Sequence, residues 1–248
     1  MSRNILSRLG RMVKNTRMMD MRVMYRYWER DYLRRFFNTY DIDCVIDVGA
    51  NYGQYAQMLR KKVGFKGLIV SIEPIPDAAA RLRELSSSDP LWVVCEQALS
   101  SENGEQELNI MHVSQYSSLS RPRHDDIEQF RDENQVQNTV SVKTETLTSF
   151  FERLRSEHDI RSPFLKLDTQ GYDVMILEHS KEILDQFIGL QSELAVKRLY
   201  EQSVDYREAL TRYEEFGFVL SAFVPNNAGH FPVLVETDCI MLNKNYIT

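Results

Sequence analysis

The 248-residue chain has only three cysteines, Cys44, Cys95 and Cys239, and no two of them stand at metal-ligand spacing. An odd, scattered set embedded in apolar runs excludes a disulfide framework and a structural zinc site. It fits small core residues of a reducing, cytoplasmic compartment. No apolar run approaches the roughly 18 residues that cross a bilayer, and the N-terminus lacks the apolar core of a signal peptide, so neither a membrane span nor export is expected. Internal repeats and a convincing linker are also missing. What is present is a hydrophobic share of 43%, enough for the core of one enzyme-sized domain.

Charge is uneven. Residues 1–26 carry seven Lys or Arg against Asp20, a net of +6 in a chain of −6, which leaves −12 for the remainder. Ile5, Leu6, Leu9, Met12 and Val13 recur at helical spacing, so a basic amphipathic helix is expected there. Packing on the domain or on a second subunit, as in a homo-oligomer, is the preferred reading; a peripheral membrane or anionic-partner contact is the alternative. Nucleic acid is not expected as a partner, because an acidic body repels a phosphate backbone.

Strand and helix signals alternate, the rhythm of a mostly parallel α/β sheet. After a helical stretch around 27–37, strands are predicted at 44–48, 68–72, 91–95, near 107–111, near 140–143, and at 164–168, 188–193, 218–224 and 237–242. Helices are predicted at 53–62, 76–87, 147–157, 172–185 and 206–216. The last two strands, joined through 225–230, are expected to pair antiparallel. The polar stretch 121–137 breaks the rhythm and reads equally as a lid over bound ligands or as a solvated helix. One domain over 41–248 with an N-terminal helical extension over 1–40 is expected.

The richest segment is Val45-Ile46-Asp47-Val48-Gly49-Ala50-Asn51-Tyr52-Gly53, followed by Ile69-Val70-Ser71-Ile72-Glu73-Pro74. It reads as a buried strand, a glycine turn opening a helix, and a second strand ending in a carboxylate. In open α/β sheets ligands lie at the carboxyl ends of the strands, where a carboxylate takes ribose hydroxyls. A dinucleotide site needs three glycines, and Asn51 and Gln54 occupy the second and third positions. Asp47 and Asn51 instead suit a ligand with an amino-acid end and a sulfonium, which describes S-adenosylmethionine. A nicotinamide-dependent oxidoreductase and a catalytically silent binding protein on the same fold remain the alternatives.

With these pieces in order, the sequence resembles the FkbM family of S-adenosylmethionine-dependent methyltransferases over roughly residues 44–243. The matching pieces are IDVGANYGQYA at 46–56, IVSIEPIPD at 69–77, CEQALS at 95–100, SSL at 117–119, VKTETL at 142–147, FLKLDTQGYDVMILE at 164–178, LQSE at 190–193 and ETDCIML at 236–242. One departure is Gln170, where many members carry Glu. The resemblance implies a class I methyltransferase Rossmann-like fold, a seven-stranded, mostly parallel sheet with an antiparallel last strand. It also implies that Asp47, Gly49, Asn51 and Gly53 surround the methionine end of the cofactor, that Glu73, with Pro74 beside it, holds the ribose, that Gln97 and Ala98 lie along the adenine, and that Asp168 faces the transferred methyl.

The expected function is O-methylation of a hydroxyl on a sugar, glycan or secondary metabolite. A protonated hydroxyl is a poor nucleophile, so a base or a metal is expected beside it. The candidates for catalysis are Asp168, Glu193 and His230. A divalent metal shared by Asp168 and Glu193 is possible chemistry but not favoured. His112, His124, His158 and His179 read as surface residues.

Overall fold

The computed structural model describes residues 21–112, 117–123, 135–225 and 233–247, with side chains from residue 27 onward. Strands β1 (Cys44–Val48), β2 (Leu68–Ile72), β3 (Trp92–Cys95), β7 (Pro163–Leu167), β8 (Gly189–Ala195), β9 (Phe218–Val224) and β10 (Glu236–Asn243) form one sheet in the order β3-β2-β1-β7-β8-β10-β9. The first five run parallel, and β10 lies antiparallel to both β8 and β9. This is the class I methyltransferase topology that the resemblance implied.

β1 and β2 are buried along their whole length because helices cover both faces of the sheet. The pleat then sends alternate residues to two cores. Cys44, Ile46 and Val48 pack with Phe150, Phe151 and Leu154 of α4 (Leu147–Glu157) and with Ile176 and Leu177 of α5 (Asp173–Glu178). Val45 joins the opposite core with Ala56 of α2 (Gln54–Met58, running on as a π turn through Val63) and Leu82 of α3 (Pro76–Ser86). α6 (Tyr206–Glu215) closes the first face through Tyr213.

The helix preceding β1, α1 (Met21–Thr39), belongs to the second core. Leu33, Phe36 and Phe37 share one side of it, and the two phenylalanine rings meet Phe164 of β7 at centroid distances of 5.5 and 5.0 Å. From Tyr32 to Tyr40, the chain before β1 therefore packs on the domain. Residues 1–20, which carry most of the basic segment, lie outside the described residues.

A second sheet, β4 (Ala98–Leu99), β6 (Val136–Glu145) and β5 (Gly104–Met111), branches off after β3. Its hairpin is longer at each strand than the apolar pattern suggested, since residues 136–139 pair while remaining exposed. The single helix expected over 172–185 is broken. Ser180 leaves helical geometry at φ −143° and its buried hydroxyl accepts the Thr148 N–H, after which the chain resumes as a 3-10 turn over Lys181–Gln186. Of the polar stretch 121–137, residues 121–123 run beside 199–201 through backbone hydrogen bonds and 136–137 enter β6, while 124–134 lie outside the described residues.

Candidate functional site

The topology places the tips of β1, β2, β7 and β8 along one edge. β1 ends in the turn Gly49-Ala50-Asn51, in which the N–H groups of Gly49 and Ala50 both donate to Ile72 O at 3.0 and 3.1 Å. Gly49 has φ +79°, and a Cβ there would lie 2.0 Å from Asp168 O, so only glycine lets the β1 and β7 tips approach this closely. Asn51 also adopts a left-handed φ of +48°, which asparagine tolerates better than most residues. A cavity of about 640 Å³ opens over these tips.

One wall of the cavity carries Asp47, Gly49, Asn51, Glu73, Pro74, Gln97 and Ala98. Glu73 ties the tips together, because its two carboxylate oxygens accept the N–H of Asn51 at 2.7 Å and of Ile75 at 2.8 Å. Burial pushes its carboxyl up to about 7 against those two bonds, and the negative charge of Asp168 adds to the rise. Asp47, 1% exposed, is raised to about 7 by burial, with Lys166 opposing and Asp168 and Glu73 reinforcing. Its Oδ2 has no hydrogen-bond partner, and neither does Oδ1 of Asn51. Gln97 is braced from behind, donating through Nε2 to Glu145 at 2.8 Å. Gly53 is not in this wall. A Cβ there would meet Leu82 and Leu85, so at φ +80° it lets the start of α2 sit against α3.

The second wall is built from the ends of β7, β8 and β10 and carries Asp168, Gln170, Glu193, Glu236 and Asp238. Gln170 Nε2 lies 3.0 Å from both Asp168 Oδ1 and Glu193 Oε2. Beneath them sits Lys166, a buried lysine in a central strand, whose ammonium donates to Leu167 O at 3.0 Å and lies 3.4 Å from Asp168 and 3.9 Å from Asp238. Burial alone would lower its pKa, but Asp168, Asp238, Glu193 and Asp173 together hold it well above the usual lysine range. Burial raises Glu193, with Glu236 and Asp168 adding to the shift, and lifts Glu236 to about 7 and Asp238 to about 6. One cation thus faces more carboxylates than it can neutralise, and the excess is relieved by proton uptake.

Asp168 and Glu193, singled out from the sequence, therefore line the same cavity as Glu73 and Asp47. His230 and His124 lie outside the described residues. His112 and His179 are exposed, His158 is half-buried, and none of the three lines the cavity. Among the described residues no three His, Cys, Asp or Glu side chains are grouped to hold a metal ion. Sequence reasoning missed Lys166, Tyr55, Glu236 and Asp238. Lys166 had a readable signal, since a lysine inside the apolar strand Phe164-Leu165-Lys166-Leu167 must bury its charge against partners. Tyr55, whose hydroxyl donates to Gln191 at 3.0 Å, had none.

Among solved structures the chain is similar to magnesium protoporphyrin IX methyltransferase from Synechocystis PCC 6803 with bound S-adenosylmethionine. The identity is 11% and the TM-score 0.48, over 92% of this chain and 84% of that one. Fibrillarin from Aeropyrum pernix aligns at 11% identity and a TM-score of 0.46 over 81% of this chain, which spans 66% of the fibrillarin. No curated protein matches the sequence. The Methyltransferase FkbM domain family matches residues 47–220, well over half of the chain and the whole stretch from the β1 tip into β9. On that match the chain belongs to the FkbM methyltransferase family.

Proposed function

We propose that the protein transfers the methyl group of S-adenosylmethionine to a hydroxyl of a sugar, glycan or other small metabolite. The observation that carries this reading is one cavity lined both by Asp47 and Glu73 at the β1 and β2 tips and by Asp168 and Glu193 at the β7 and β8 tips. One wall supplies what a nucleoside with a cationic amino-acid end requires, and the other supplies acceptors for a hydroxyl proton.

The residues present fit the cofactor. Asp47 Oδ2 and Asn51 Oδ1 are acceptors without partners on the cavity wall, a costly arrangement unless a ligand supplies donors. They would hold the ammonium and sulfonium end. Glu73 has two of its roughly four acceptor positions taken by backbone N–H groups, leaving others for the ribose hydroxyls. Gln97 and Ala98 would border the adenine.

When bound, the cofactor supplies an electrophilic methyl on a neutral-leaving thioether. The chain's part is to position and to manage one proton. Asp168 accepts a hydrogen bond from the acceptor hydroxyl, orients its lone pair toward the methyl and takes the proton as the carbon–oxygen bond forms. Excluding water and fixing that approach supplies on the order of 7–11 kcal/mol where the geometry is good.

Glu73→Ala should weaken S-adenosylmethionine binding by on the order of 1.5–3 kcal/mol, the size of hydrogen bonds to a charged group. Calorimetry on the folded variant checks this, and unchanged affinity would remove Glu73 from the ribose site. Affinity should also rise with pH. Asp47 and Glu73 titrate near 7 in the free cavity and bind a cationic ligand as anions, so binding releases protons. Below that range the dissociation constant should worsen by roughly tenfold per pH unit for each proton released. Titrations in two buffers of different ionisation enthalpy measure the release, and a pH-independent dissociation constant between about 5.5 and 8 would contradict the linkage.

The activity itself is tested by incubating the protein with S-adenosylmethionine and a panel of glycans and hydroxylated metabolites, followed by mass spectrometry. A product one methyl heavier at oxygen is expected. Products methylated only at nitrogen or carbon would contradict the hydroxyl reading.

A further inference from the structure

Gln170 has a backbone conformation that its residue type avoids, φ +54°, directly before Gly171 at φ +87°. A non-glycine residue held in the left-handed region costs free energy that the surroundings must over-determine. They do. Ser118 Oγ donates to Gln170 O at 2.9 Å and Thr169 O at 3.3 Å, and Gly171 is wedged so closely that a Cβ would lie 2.7 Å from Ser203 Cβ. The turn thrusts the Gln170 amide between two strand tips. Its Nε2 reaches Asp168 and Glu193 at 3.0 Å each, and its Oε1 accepts the Tyr200 hydroxyl at 2.9 Å. The opposite amide orientation would set an oxygen against two carboxylates, so the network admits one assignment.

We propose that Gln170 is the positioning residue of the transfer step, its amide locking Asp168 and Glu193 in one arrangement against the reacting methyl, with Tyr200 fixing the amide. The role rests on the cofactor and reaction assigned above. Two carboxylates at neighbouring tips repel, and an amide group has two hydrogens with which to bridge them, one for each. Asp168 is then bonded at Oδ1 by Gln170 and approached at Oδ2 by Lys166. Glu193 lies beside it, and burial, with the charges of Glu236 and Asp168, raises the Glu193 carboxyl above its ordinary range. A side chain without donors at position 170 frees Asp168 to rotate off the reacting axis.

The test needs no acceptor. Sinefungin carries an amine where the cofactor carries its sulfonium methyl, so its affinity relative to S-adenosylhomocysteine reads the negative charge aimed at that point. Gln170→Met keeps length and removes both hydrogen-bonding functions. At pH 7.5 it should bind S-adenosylhomocysteine within about threefold of the parent chain but lose about fivefold or more of the preference for sinefungin, by the tenfold-per-1.4 kcal/mol relation. Tyr200→Phe should shift the preference in the same direction by less, which keeps the test usable where Gln170→Met does not fold. An unchanged preference in both variants, or a parallel loss of both ligands as a merely structural role would give, overturns the positioning role. Failure of the parent chain to bind S-adenosylhomocysteine would overturn the cofactor assignment itself and this role with it.

Discussion

Asp168→Asn should slow single-turnover methyl transfer by about 10²–10⁴, the usual worth of a positioned general base, while S-adenosylmethionine affinity stays within a few-fold. The asparagine keeps shape and can keep its contact with Gln170, so the substitution removes a charge and a proton acceptor and little else. The cofactor contacts proposed above are at Asp47, Asn51 and Glu73, on the β1 and β2 tips rather than at Asp168, which is why binding and turnover should separate. Rapid-quench measurement of the first turnover, beside calorimetry, checks the split. Full activity in the Asn variant would move the proton to Glu193 or Glu236. Equal losses in binding and turnover would show that Asp168 shapes the cofactor site instead.

Lys166→Met should destabilise the fold by about 3–5 kcal/mol near neutral pH, the cost of leaving buried charge without its partner. The lysine is the counter-ion for Asp168 and Asp238 at 3.4 and 3.9 Å, and it lowers the pKa of Asp47, Glu193 and Glu236 as well. The pH dependence has a definite sign. Asp47, Glu73 and Glu236 near 7 and Asp238 near 6 bind protons more tightly in the folded state than in the unfolded chain. Their contribution is fully present below the unfolded carboxylate range, around pH 4, and is lost as pH rises through about 7. Without Lys166 these values climb further, so the variant should recover much of its deficit near pH 5 and be worst near pH 8. Urea unfolding at the two pH values reads the difference. A deficit that is small, or equal at both, would mean that Lys166 acts as a packed aliphatic stem.

The sheet was largely legible because its strands are short apolar runs separated by glycine turns, and burial on both faces leaves that pattern unmistakable. Ile46-Asp47-Val48-Gly49 and Ile72-Glu73 reveal themselves for the same reason, since a carboxylate at the end of a buried strand stands out from its neighbours. The second wall was harder to read. Asp238 and Glu236 lie on β10, and only its antiparallel register, Asp238 opposite Glu193, carries them to the β7 and β8 tips. Gln170 looked like a departure from a motif. What makes it informative, two neighbouring carboxylates and a tyrosine thirty residues downstream, exists only after folding. The break at Ser180 was hidden for a similar reason, because the N–H its hydroxyl accepts comes from a different helix.

The proposed placement of the nucleoside over the β1 and β2 tips, with the reacting methyl turned toward Asp168, is tested most directly by a crystal structure of the complex with S-adenosylhomocysteine. The ribose hydroxyls should fall within hydrogen-bonding distance of Glu73, the amino-acid end against Asp47 and Asn51, and the sulfur on the side of the cavity that faces Asp168. A nucleoside bound elsewhere on the domain, or in this cavity with its ribose away from Glu73, would contradict the assignment.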